Sequence, residues 1–479
     1  MRRKRFSAGH RRRFLREAPT GEGRRRRTAP AVPHEDRRTP VRSPRALVSR
    51  AVRAGASEAE VIRISRRTKE TSFERNSLKS VQADESEAWG IRLLRGKKVA
   101  SASTNDPTRL DEMVEEAARI AESSEEDPYA GLPTPAFMEQ VAELCDPRQV
   151  SLAEVLEAAV MLVDAARKVD RRVSVDSAGV THTRTRVEIV SSTGIDAAEE
   201  TTCASAFIFG MAADGEEVSS CDYVVDEEVC WEALAGRLAH QGQRFAQAVL
   251  SALGAQPADT FRGYALLGPE VTADIVGALE FLVSARSVQE GRSRFAGKRG
   301  TPVAAAALTL ADQPRIPGSP RSRSFDREGV PTRPLTVIEQ GVLRSFLYDT
   351  RTARKDGVFS TGHAAGGLSG QPSPAFHSPR IQGTAPLGEM VRMIDRGVRV
   401  RRFSGNLNPV SGVFSGLVKG GHLIREGAPK TPLTDTMINA TLDGLLGGIA
   451  AVSYETEPTG YGHLPWLLVK GMDIIGRED

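Results

Sequence analysis

The chain of 479 residues is 40% hydrophobic and 26% charged, enough for two or three domains with full cores, and no stretch nears the roughly 18 apolar residues of a membrane-spanning helix. Its net charge of +4 hides a division: residues 1–50 hold 17 Lys and Arg against 4 Asp and Glu, so residues 51–479 carry 48 against 57 and are mildly acidic. Four cysteines, at 145, 203, 221 and 230, form no C-x-x-C pair and have no histidine at zinc-finger spacing, so they read as reduced core residues.

Residues 1–43, with Arg2-Arg3-Lys4-Arg5, Arg11-Arg12-Arg13 and Arg24-Arg25-Arg26-Arg27, are almost without apolar side chains and read as a disordered tail. An electrostatic arm for nucleic acid is the alternative. The tail lacks the apolar segment of a secretory signal, and a cytoplasmic protein is the expectation. Residues 44–127 then read as an α+β domain: a helix over 45–54, strands at 60–65, 71–78, 87–94 and 98–102, and a helix over 107–122 with Leu110, Val114, Ala117, Ala118 and Ala121 on one face.

A Pro/Gly-rich linker at 128–135 opens a middle α/β segment, 128–255. Ser151 heads a helix to about 168, strands are expected at 173–179, 184–191, 196–211 and 218–225, and 226–253 reads as helical. The remainder, 256–479, is β-rich and barrel- or sandwich-like, with strands at 264–268, 303–310, 335–348, 398–404, 412–418, 421–425 and 448–454 and a helix over 270–290. Within it, Gln340-Gly341 turns a hairpin of 335–339 with 342–348, Asp349 caps a short helix, and Gly357 sits where a left-handed C-terminal residue belongs.

The order Glu328-Gly-Val-Pro-Thr-Arg333, Ile338-Glu-Gln-Gly-Val-Leu343, Tyr348-Asp-Thr-Arg-Thr-Ala-Arg-Lys355 resembles the TldD/PmbA family, also called the modulators of DNA gyrase. Residues 290–300 keep the family's shape, and Asn408-Pro-Val-Ser-Gly-Val-Phe-Ser415 resembles its Asn-Pro-x-Ser/Thr-Gly-x-Phe-Ser signature; the likeness covers roughly 45–475. In the peptidase type, the resemblance implies a His-Glu-x-x-x-His motif on the 270–290 helix, with a downstream cysteine completing a zinc site. Such a site needs two imidazoles, a glutamate near the bound water and a third ligand. Here the corresponding places hold Val276, Gly277 and Phe281, no histidine lies between His240 and His363, and no cysteine follows Cys230.

The resemblance is therefore to the PmbA/TldE-like branch. It implies no catalytic or metal residue in this chain, zinc only in a TldD-like partner subunit, and unfolded peptides as what the pair processes; a homo-oligomer is a further expectation. Asn408, Pro409, Ser411, Gly412, Phe414 and Ser415 are the candidate peptide- or partner-binding residues, beside what is a substrate groove in the peptidase type. Ser411 and Ser415 lack a nucleophile elbow and read as turn hydroxyls. His363, His377, His422 and His463 are scattered, and Glu280, Arg286, Glu290 and Arg292 read as solvated helix charges. A nucleic-acid- or gyrase-associated binding protein and an independent hydrolase stay open as alternatives.

Overall fold

In the computed structural model of the chain, residues 43–476 are described; the Arg-rich segment 1–42, where disorder is expected, lies outside them, as do 477–479. Helix α1 (Pro44–Arg53) leads into strands β1 (Glu58–Glu74), β2 (Ser77–Arg95) and β3 (Lys98–Thr104) and helix α2 (Leu110–Ser123). Then come α3 (Leu152–Arg167), β4 (Val173–Ser191), β5 (Asp196–Asp214), β6 (Glu217–Val218), β7 (Asp222–Glu228), α4 (Trp231–Ala235) and α5 (Leu238–Leu250).

The C-terminal half contains β8 (Phe261–Leu267), α6 (Pro269–Val283), α7 (Ala285–Gln289), β9 (Leu310–Asp312), β10 (Leu335–Glu339), β11 (Val342–Leu343) and α8 (Thr350–Asp356). It continues through β12 (Ala364–Ala365), β13 (Ser373–Pro374), β14 (Pro379–Ile381), α9 (Leu387–Arg392), β15 (Arg396–Val400), β16 (Arg402–Asn408) and β17 (Val413–Lys419). It closes with β18 (Gly421–Arg425), β19 (Ala428–Leu433), β20 (Met437–Thr441), α10 (Leu442–Gly447), β21 (Ile449–Thr459) and β22 (Gly462–Ile475). The class is mixed α and β with a strand-rich C-terminal half, as expected.

The first sheet has seven strands in the order β3-β2-β1-β4-β5-β6, with β7 also on β5. One ladder, from Glu60↔Ser191 to Glu74↔Ser177, carries it from the 44–127 segment into the 128–255 segment. The strands expected at 60–65 and 71–78 are one continuous strand plus a turn. The polar run Arg66–Glu70 reads as a gap, yet its backbone pairs with β2 on one side and β4 on the other. The turn lies at Arg75 and Asn76, both at positive φ, held by amide bonds to the carbonyls of Asp176 and Val175. In the same way, pairing with β1 and β5 fuses 173–179 and 184–191 into β4.

Other corrections share that cause. The backbone of 303–310 bonds in turn to Gly341 and Leu446 rather than to one strand, so only β9 forms there. The hairpin ladder stops at Leu343, because Leu347 instead bonds Val283 and Ala285 at the break between α6 and α7. Residues 226–228 belong to β7, and 398–404 divides into β15 and β16. The cysteines are free, but none is core: three are half-buried and Cys230 is exposed where β7 gives way to α4.

The second large sheet has nine strands, β16-β17-β20-β22-β8-β15-β18-β19 with β21 on β22, and its one parallel pair is β8 with β15. Helix α6 packs on this sheet and fills the largest core with Val271, Ile275, Val276, Leu279, Leu282 and Val283, against Phe414, Ile438, Leu467 and Val469. Among the described residues no helix is long and apolar enough to cross a membrane.

A buried ionic clasp ties the two halves together, and it uses Glu328 of the Glu328–Arg333 motif with Arg327 just before it. Arg92 on β2 reaches Glu328 (2.9 Å) and Glu60 (3.2 Å), and Arg327 reaches the other oxygen of Glu60 (2.7 Å). The second oxygen of Glu328 accepts the amide of Thr350, at the start of α8, at 2.8 Å. Asp349 caps α8 through Thr352, and Gly357 ends it at φ 68°. Every carboxylate in the clasp has a cationic or amide partner, the condition under which buried charge is tolerated.

Candidate functional site

Helix α6 begins with Pro269 at its first position, where a missing amide hydrogen is harmless. At 100° per residue its core stripe leaves one open face, made by Glu270, Asp274, Gly277 and Phe281. This face is acidic. The hydroxyl of Tyr223 bonds Glu270, whose carboxyl is pushed up by burial despite Arg401 and Arg402 nearby. Burial, and then Glu270 one turn back, push Asp274 up to about 6.

Gly277 faces the ring of Tyr461, whose hydroxyl would lie 3.2 Å from a Cβ at that position. Phe281 lies under the Arg292 guanidinium, 5.3 Å from the ring centre. Glu280 is not the solvated charge expected: it accepts the Phe376 amide at 2.8 Å and the Tyr461 hydroxyl, and burial pushes its carboxyl up. Arg286, Glu290 and Arg292 are exposed or half-exposed and pair with one another.

Val276, Gly277 and Phe281 do not form a ligand set. Val276 is fully buried in the core, turned about 140° from Phe281 around the helix, and none of the three offers a nitrogen, sulfur or oxygen side-chain donor. Among the described residues no other group of three or more His, Cys, Asp or Glu is arranged to hold a metal. The residues present do not fit the zinc that the resemblance implies for the peptidase type.

Strand β16 is the outermost strand of the nine-stranded sheet, and α6 packs beside it. Its middle residues Ser404, Gly405 and Asn406 are exposed. Asn408, Pro409, Ser411 and Gly412 form the turn into β17: the Asn408 side-chain oxygen accepts the amides of Val410 and Ser411 at 2.9 Å, and Gly412 takes φ 75° beneath Arg294. Thus Asn408, rather than a serine hydroxyl, satisfies the turn. Phe414 is inside the core against Phe403, 4.9 Å away, while the Ser415 hydroxyl bonds Asn439 at 2.6 Å.

Two histidines that look scattered in sequence meet in the fold. His363 and His377 stack with ring centres 5.3 Å apart beside Asp312, which is wholly buried at the end of β9. Asp312 accepts the amides of Ser378 (2.8 Å) and His377 (3.2 Å), and its other oxygen is 3.2 Å from His363 Nε2. Burial pushes the Asp312 carboxyl up, but His363, His377 and the Ser378 amide outweigh it and hold it below the usual range. Burial, with Arg323 next, pushes His377 down to about 3, so its ring is neutral and its Nε2 donates to the Gly362 carbonyl at 2.9 Å.

Three models of one family match the chain in order: the PmbA/TldA metallopeptidase domain 1 over residues 59–121, the central domain over 145–247 and the C-terminal domain over 262–476. The chain belongs to the PmbA/TldD metallopeptidase family. Among its relatives, the metalloprotease PmbA of Escherichia coli O157:H7 is 24% identical over 88% of this chain and 94% of its own. A metalloprotease of Methanothermobacter thermautotrophicus is 26% identical over 84% and 87%. A TldD homologue of Buchnera aphidicola subsp. Acyrthosiphon pisum is 30% identical over 40% and 38%. The crystal structure of TldE from Thermococcus kodakarensis superposes with a TM-score of 0.83 at 24% identity, over 90% of this chain and 99% of that one, a likeness of fold.

Proposed function

We propose that this chain is the non-catalytic, PmbA/TldE-like subunit of a two-subunit zinc peptidase, paired with a TldD-like homologue that carries the metal, and that the pair degrades or processes unfolded peptides. The observation that carries this reading is α6 itself, which packs on the sheet, holds no histidine, and has Val276, Gly277 and Phe281 at the places the resemblance assigns to the peptidase's motif. The matches to both PmbA and TldD relatives support a TldD-like partner. The exposed edge of β16, running beside the open face of α6, supports the peptide: an extended chain can add to such an edge through main-chain hydrogen bonds.

The test is metal analysis and a peptidase assay of the purified chain, alone and mixed with a TldD-like homologue. The expected result is no stoichiometric zinc and no hydrolysis by the chain alone, with hydrolysis in the mixture. Stoichiometric zinc in the chain, or hydrolysis without a partner, overturns the reading.

A further inference from the structure

Around β9 and β14 the fold leaves several buried hydrogen-bond donors without partners. The Nε of Arg321, Arg323 and Arg380 and the hydroxyls of Ser322 and Ser378 are all buried and unpaired. These residues are neighbours: the Arg323 amide bonds the Pro314 carbonyl, the Gln313 amide bonds the Ser378 carbonyl, and Pro379 pairs with Asp312. Such an excess of donors calls for an acceptor.

Arg323 is the centre of this group. Its guanidinium makes no hydrogen bond or ion pair with any described residue, although its outer nitrogens belong to a side chain that keeps some exposure. The nearby acids are engaged elsewhere. Glu199 accepts the Ser324 amide, Glu227 pairs with Arg321, and Asp312 serves His363, His377 and Ser378. Arg380, one strand away, gives only a long 3.3 Å bond to the His463 carbonyl. An unpaired guanidinium in such surroundings is costly to the fold, and its planar fork matches a carboxylate bidentately.

This group is also linked to the open face of α6. Phe376, two residues before Ser378, donates its amide to Glu280, and Glu280 shares Tyr461 with Gly277. We propose that Arg323, with Arg380 beside it, binds the C-terminal carboxylate of a peptide lying along the open face of α6. The chain would then select substrates by their free C-terminal end. This inference rests on the peptide-holding part of the function proposed above.

The experiment uses the full chain and three versions of one unfolded peptide labelled at its N-terminus: a free C-terminal acid, a C-terminal amide, and an amide carrying an added internal glutamate. Binding is read by fluorescence anisotropy. The free acid should bind about tenfold or more tightly than either amide, the scale of a charge-assisted pair. Arg323→Gln should remove that preference and Arg323→Lys should keep part of it, with no fall in melting temperature for Arg323→Gln, since no structural partner is lost. Equal binding of acid and amide, equal binding of the acid and the glutamate peptide, or a preference that survives Arg323→Gln overturns the inference alone. Failure of all three peptides to bind overturns it together with the peptide-holding part of the proposed function.

Discussion

Two buried polar regions of this molecule use the same residue types in opposite ways. In the clasp, Arg92 and Arg327 form ion pairs with Glu60 and Glu328, and the spare oxygen of Glu328 takes an amide. Around β9 and β14, Arg323 and Arg380 are half-buried, with their Nε atoms buried and no carboxylate at ion-pair distance. Ion pairing marks the clasp as scaffold, because each charge there answers another of the same chain. The second region lacks such ion pairs, and the proposed peptide carboxylate is what would supply one.

The sharpest break of this contrast is Arg92→Met. It strands Glu60 and Glu328 in the interior, and stability should fall by about 3–5 kcal/mol, read by denaturant unfolding. A loss below about 1 kcal/mol would show that the clasp holds little.

The second prediction concerns pH. The folded pKa of His377, about 3, lies below its ordinary value of 6.5, so the unfolded chain takes up a proton first. The stability it contributes is full above pH 6.5 and is lost as pH falls from there towards 3, at up to about 1.4 kcal/mol per pH unit. His377→Gln should flatten that slope in melts taken between pH 7 and 4. An unchanged slope would remove His377 from the account.

A smaller effect is expected at the join between clasp and helix. Asp349→Ala removes the cap of α8 and its bond to Thr352, and should cost about 1 kcal/mol in unfolding measurements. Smallest of all, and opposite in kind, is Arg323→Gln, which should leave the melting temperature unchanged or raise it. A drop as large as that for Arg92→Met would place Arg323 in the scaffold and erase the contrast.

Much of the local structure was written in short signals. The Ser151 cap, the Asp349 cap, the left-handed Gly357 and the apolar stripe of α2 all appear where the sequence puts them, because each depends on residues within one or two turns. The family was legible for the same reason, since its motifs are contiguous. The absence of histidine from α6 was equally plain, being a matter of residue identity.

What tertiary structure alone decided lies across long separations. The polar run 66–70 is strand because β2 and β4 flank it, and Arg75 takes a positive φ because β4 supplies acceptors for the turn. Glu60 and Arg92 meet Arg327 and Glu328 only when the two halves close, and His363, His377 and Asp312 meet only around β9 and β14. Sequence determines which charges exist and which local turns they favour; whether a buried charge finds a partner depends on contacts between distant segments, and that separates the scaffold of Arg92 from the unpaired guanidinium of Arg323.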